Sequence, residues 1–227
     1  GAMALAAFAN ASGTDSISAG YNALASGDNA IALGTTTRAT GNESFATGYE
    51  ANASRTSAFA IGTKAISSGQ NSMALGTLSQ ATNLDAYSFG VQSFSNAVNA
   101  TAIGTKSRAT GADSFAIGLS AEATNTNSLA FGASSSSTGL SSTSIGTNAT
   151  ASNQMSMALG FSSIANGVNS MAAGTSSMAT GLDSLAIGTL AVATSARTTA
   201  VGTQANAAAL DGIAIGFQAC AIAENAY

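Results

Sequence analysis

The stretch Asn29-Ala-Ile-Ala-Leu-Gly34 returns as Asn71-Ser-Met-Ala-Leu-Gly76, Asp113-Ser-Phe-Ala-Ile-Gly118 and Asp183-Ser-Leu-Ala-Ile-Gly188. The closing glycines belong to one series of fifteen, from Gly20 to Gly216, each 14 residues after the last and without an insertion. Ala2-Met3-Ala4-Leu5-Ala6 fits the same phase, with Ala6 in the glycine's place. A register kept this strictly implies that each repeat is one unit stacked on its predecessor.

The pattern inside a repeat predicts its cross-section. Three and one residues before the anchor glycine stand large apolar side chains: Ile31 and Leu33, Phe59 and Ile61, Met73 and Leu75, Phe115 and Ile117, Leu129 and Phe131, Ile213 and Ile215. Four and two before it stand small ones, Ser72 and Ala74, Ser114 and Ala116, Ser184 and Ala186. Strict alternation of this kind is the signal of a strand. After the anchor, the third and fifth positions stay small (Ala23 and Ala25, Ser107 and Ala109), while the second and fourth vary (Lys64 and Ile66, Leu78 and Gln80, Lys106 and Arg108). That is a second strand with one face in and one face out. Seven after the anchor comes Gly or Asn in most repeats, such as Gly27, Gly41, Asn83 and Asn125. Both tolerate a left-handed backbone, so a turn is expected there, with Arg55 an exception that invites strain. The anchor makes the other turn.

The expected fold is therefore all-β: a β-solenoid of 14-residue coils, each strand, turn, strand, turn, with the large side chains inside. Residues 1–227 read as one roll of about fifteen to sixteen coils, roughly 70–75 Å long at about 4.8 Å per coil. Gly1-Ala2-Met3 is set apart as an expression-tag remnant. A helical reading fails because the apolar period is 2. The nonapeptide calcium roll fails because its Gly-Gly-x-Gly-x-Asp phrase is absent.

Composition narrows function. Only 7% of the 227 residues are charged, His, Pro and Trp are absent, and the formal net charge is -4. Without His, and with serines recurring as structural columns, no nucleophile-and-base arrangement is visible, so no enzyme, cofactor or metal site is expected. The six Lys and Arg are scattered and leave no footprint for nucleic acid. Cys220 allows no internal disulfide. No apolar run is long enough to cross a membrane as a helix.

The phrase Asn-Ser-x-Ala-Ile-Gly, with Ala-x-Ala-Thr-Gly nearby, resembles the head repeat of YadA-like trimeric autotransporter adhesins. Asp113 to Gly118, with Ala109-Thr110-Gly111 just upstream, is a close copy, and the resemblance covers essentially the whole chain. It implies a left-handed parallel β-roll in a parallel homotrimer, on the outer side of the bacterial outer membrane. It also implies attachment to host matrix, cells or surfaces, and membrane anchoring only through a C-terminal region beyond this segment. Which ligand is bound does not carry over.

Within that frame, Ser72, Ala74, Ser114, Ala116, Ser184 and Ala186 form a flat stripe assigned to the trimer interface. Lys64, Ile66, Leu78, Phe94, Lys106 and Arg108 are the candidate ligand surface, a ribbon that puts apolar and basic groups on neighbouring coils. Ile164, Met178, Leu190 and Val192 extend the apolar set. Residues 14 apart occupy equivalent places, so Lys64 should pair with Glu50, Arg108 with Glu122, and Arg197 with Asp183 and Asp211. Arg38, Arg55 and Lys106 are left over. Two other readings stay open: a spacer that projects another head, and an ice-binding solenoid using the Thr column after the anchor (Thr35, Thr63, Thr77, Thr105), interrupted by Tyr21, Tyr49 and Val91.

Overall fold

The computed structural model describes residues 1–223. Two compact units, Gly1–Asp113 and Ser114–Tyr227, divide the chain. Each is built from eight two-stranded coils, sixteen in all, and no helix occurs among the described residues. A coil pairs a three-residue strand ending at the anchor, such as Phe59–Ile61, with a two-residue strand after it, such as Ile66–Ser67. Within each unit, first strands stack only on first strands and second strands only on second strands, and the pairings are parallel.

The 14-residue register holds within each unit. In the first, Phe45 lies beside Phe59, and Ala46 beside Ala60. In the second, Leu185 lies beside Thr199, and Ala186 beside Ala200. Ladder bonds such as Ile17 N–H to the Ala30 carbonyl, 2.9 Å, tie coil to coil.

Two tight turns close every coil. Ala23 N–H donates to the Gly20 carbonyl at 3.2 Å, and Ala30 N–H donates to the Gly27 carbonyl at 3.3 Å. In each of these four-residue turns the third residue has positive φ: Asn22 at 53° and Asn29 at 57°. Positive φ at that place is the feature of type II turns. The left-handed residues thus stand two and nine after the anchor, not seven after it. Gly27 is needed for a different reason: a Cβ there would lie 2.0 Å from the Gly41 carbonyl oxygen of the next coil. Arg55 carries no left-handed strain. Asn83, in the equivalent place, uses its side chain to accept from Leu84 N–H at 2.9 Å and to donate to the Asn96 carbonyl at 3.2 Å. The anchor glycines do have the conformation expected of them, with Gly118 at φ +135°, a region that essentially only glycine occupies.

The interior reverses the expectation about size. Ser72, Ala74, Ser114, Ala116 and Ala186 are 0% exposed and Ser184 2%, all enclosed within the coil of a single chain. They have no surface to offer a neighbouring protomer, so the interface assigned to them is corrected. The large residues point outward instead: Phe115 is 45% exposed and Phe131 50%, and no fully buried side chain is larger than threonine. The reason is width. Turns this short bring the two sheets so close that only Ala, Ser and an occasional Thr fit between them.

Serine has a second task there. The Ser72 hydroxyl donates to the Gly69 carbonyl at 2.7 Å, and the Ser79 hydroxyl to the Gly76 carbonyl at 2.8 Å. The first satisfies a turn carbonyl that would otherwise be buried without a partner, a costly arrangement; the second joins the Ser79 N–H, which donates to the same Gly76 carbonyl at 3.1 Å. The Asn-Ser-x-Ala-x-Gly phrase therefore encodes a left-handed residue, a turn lock, an outward residue, an inward methyl, a second outward residue, and the anchor.

Candidate functional site

Two outward surfaces follow from this inversion. The first sheet presents the large apolar columns. In the unit Gly1–Asp113 they include a stacked Phe45–Phe59 pair, centroids 6.2 Å apart, and Tyr87 against Phe89 at 6.3 Å. In the unit Ser114–Tyr227 they include Phe115, Phe131, Ile145, Met157, Ile187 and Ile215, all exposed. Soluble monomers rarely leave contiguous apolar patches larger than a few hundred Å² uncovered. The neighbouring turn adds Tyr21, Tyr49 and Val91 in the first unit.

The second sheet and the turn that leads into it present a mixed ribbon, from the positions four and two after the anchor respectively. Lys64, Leu78, Lys106 and Arg108 are exposed there, and Ile66 and Phe94 half-buried. Phe94 and Arg108 are register partners on adjacent coils, and the guanidinium carbon lies 5.5 Å from the centre of the Phe94 ring. That is cation–π range. Leu78, Gln80, Gln92, Ser93, Phe94 and Arg108 line one open depression of about 330 Å³. The structure thus brings Leu78, Phe94 and Arg108 together and leaves Lys64, Ile66 and Lys106 outside that lining. Gln80 and Gln92, absent from the residues singled out by sequence, complete it; as neutral polar residues among many they carried no signal.

Leu78 holds φ at 60°. Left-handed backbone costs an ordinary residue about 1–2 kcal/mol, and most coils of this unit place Asn, Thr, Glu, Lys or Gln at that position. Phe8 at 59° and Leu190 at 57° hold the same conformation at the equivalent position, so it belongs to the coil and not to the depression.

Charge is sorted between edges in the same unit. Arg38, Lys64, Lys106 and Arg108 lie on the ribbon with one acid, Glu50. Asp15, Asp28, Glu43, Asp85 and Asp113 all lie on the opposite turn, with Arg55. Lys64 pairs with Glu50 at 3.6 Å. Glu50 is held below the usual carboxylate range, first by a hydrogen bond from Tyr49 and then by Lys64. Arg38, Arg55 and Lys106 make no ion pair among the described residues. In the second unit Arg197 grips Asp211 with two bonds, one of 2.9 Å, while Asp183 accepts from Asn169 at 2.9 Å. The expected three-membered ladder is therefore a pair, with Asp183 acting on Arg197 only through its field.

The Thr column occupies a turn between the sheets: Thr35, Thr63, Thr77 and Thr105 are exposed, with Tyr49 and Val91 between them. It is a narrow edge, not a flat face. Cys220 is exposed on the ribbon side. Among the described residues, no group of His, Cys, Asp and Glu is placed to hold a metal ion.

A family model described as the YadA head domain repeat matches residues 11–37, 39–65 and 67–88, then windows stepping by 14 from 81–107 to 193–219. No protein with a curated description matches the chain.

Proposed function

Because the chain belongs to the YadA head family, a family of non-enzymatic surface adhesins, we propose that it is the head segment of a trimeric adhesin that attaches through the ribbon of its second sheet. The observation that carries this reading is the division of the outward surface. One sheet shows large apolar side chains in every coil, and the other shows side chains that vary from coil to coil.

The apolar face is the trimer interface in this reading. Three copies packing Phe115, Phe131, Ile145 and their equivalents around one axis remove from water the kind of surface that soluble monomers rarely leave exposed. Such packing supplies the large-residue core that each narrow coil lacks. The ribbons then face away from the axis on three flanks. Within each unit the ribbon is shallow and repeats coil after coil, so it suits an extended partner gripped at many points rather than an enclosed small molecule. Weak contacts on three flanks, multiplied over many heads, raise the apparent affinity when geometry permits simultaneous engagement.

The test replaces Ile66, Leu78 and Phe94 with Ser in the trimer and measures its attachment to matrix-coated and plastic surfaces. Attachment should fall at least tenfold while sedimentation still shows a trimer. Unchanged attachment by a folded trimer would instead assign the segment to the spacer role.

A further inference from the structure

We infer that the ribbon of the unit Gly1–Asp113 binds a densely sulfated linear polysaccharide, an inference that rests on the ribbon being the attachment surface. The first observation is the sorting of charge. In a chain of net charge -4, this ribbon carries Arg38, Lys64, Lys106 and Arg108, with Glu50 beside Lys64. Five of the unit's six acids stand on the opposite turn. A polyanion is therefore attracted to one face and repelled from the other, which gives it an orientation as well as a site.

The second observation is the depression beside those cations. Phe94 offers an apolar ring face, Gln80 and Gln92 offer amide donors and acceptors, and Arg108 lies over the ring at 5.5 Å. A sugar ring has apolar C–H faces and hydroxyls around its rim, and this lining answers both. The guanidinium adds a planar fork for a sulfate or carboxylate group. The depression is open along the ribbon, so a chain can run through it without ending there.

Spacing selects the partner's charge density. Arg38 and Lys64 are two coils apart, and Lys64 and Lys106 three, or about 10 and 14 Å at roughly 4.8 Å per coil. Unequal gaps are met only by a polymer whose anions recur closely enough for some to fall opposite each cation. Heavy sulfation provides that, whereas one carboxylate per disaccharide does not. Nucleic acid is a poorer match, because base stacking uses successive aromatic platforms and Phe94 is the only aromatic in the depression.

The test measures binding of fluorescein-labelled heparin oligosaccharide to the folded protein by anisotropy, at low salt and again at physiological salt. Heparin should bind at low salt and weaken as salt rises, since exposed charges are screened over about 8 Å at physiological ionic strength. The double variant Lys106→Gln, Arg108→Gln should lose at least tenfold. Phe94→Ala should lose several-fold with the salt dependence unchanged, and Arg197→Gln, on a turn of the other unit, should lose nothing. Neutral dextran should not bind, and hyaluronan should bind at least tenfold more weakly. Absence of heparin binding at low salt, or indifference to the double variant, overturns the proposal. So does hyaluronan or an oligothymidylate binding as tightly as heparin. If heparin fails but the Ile66, Leu78 and Phe94 replacements still abolish attachment, the glycan is wrong and the ribbon stands; if both fail, both fall.

Discussion

Inside one coil, the hydroxyls of Ser67 and Ser72 meet at 2.6 Å, and Ser72 also donates to the Gly69 carbonyl at 2.7 Å. The second strand is thus stitched to the turn that follows it, in a space where neither residue touches solvent. Ser144, in an inward column of the other unit, has a buried hydroxyl with no partner among the described residues. The two serines should respond oppositely to the same change. Ser72→Ala strands the Gly69 carbonyl and should cost about 1 kcal/mol. Ser144→Ala removes an unsatisfied polar group and should be neutral or stabilising by up to about 1 kcal/mol. Thermal unfolding of the two variants, side by side, reads the difference.

The anchor position permits a paired test of backbone strain. Gly118 sits at φ +135°, and a Cβ there would lie 2.4 Å from the Gly132 carbonyl oxygen. Gly118→Ala combines strain of about 1–3 kcal/mol with that clash, so the variant should unfold at much lower denaturant. Ala6 holds the same place in the first coil and adopts φ 106°. Ala6→Gly should raise stability by about 1 kcal/mol by relieving the strain. A destabilised Ala6→Gly protein would show that the first coil does not follow the others.

Inward and outward residues of one strand should fail differently. Ala116→Leu forces a large side chain between sheets spaced for methyl groups. Overpacking commonly costs about 1–3 kcal/mol, and a space with no room to adjust should bring it to the top of that range or beyond. Circular dichroism should show loss of β structure. Phe131→Ser removes an outward ring and should leave the coil folded but shift sedimentation from trimer towards monomer. A folded Ala116→Leu trimer would restore the small stripe as an outer surface.

Asp211 is held below the ordinary carboxylate range, first by its hydrogen bond from Arg197 and also by the charge of that guanidinium. A depressed folded-state pKa contributes stability above the unfolded value, and that stability is lost as pH falls through the folded value. The site is exposed and the effect small. Arg197→Gln should move the Asp211 titration, followed by NMR, upward towards its usual position. An unmoved titration would mean the pair is not formed in solution.

Much of this architecture is legible in the residues. Gly20 to Gly216 at a constant 14, the alternation around Met73 and Leu75, and the small pair Ala23 and Ala25 define the coil, its strands and its parallel register. The ion pairs Lys64–Glu50 and Arg197–Asp211 follow from the same arithmetic. The candidate ribbon was legible as the set of positions free to vary, but the grouping of Leu78 and Phe94 with Gln80 and Gln92 was not. It depends on how side chains from three successive coils lean together.

By itself the sequence determined the period, the strands, the turns and the existence of two unlike faces. Only the tertiary structure decided which face is inside. Alternation at period 2 says that Phe115 and Ala116 point to opposite sides, and the usual preference for burying large apolar groups then puts Phe115 within. Turns closed by i-to-i+3 hydrogen bonds, with left-handed residues two and nine after the anchor, set a sheet separation that admits methyl and hydroxyl groups alone. Size therefore overrides hydrophobicity within the coil: Ala116 goes in because it fits, and Phe115 goes out because the space is too narrow to hold it.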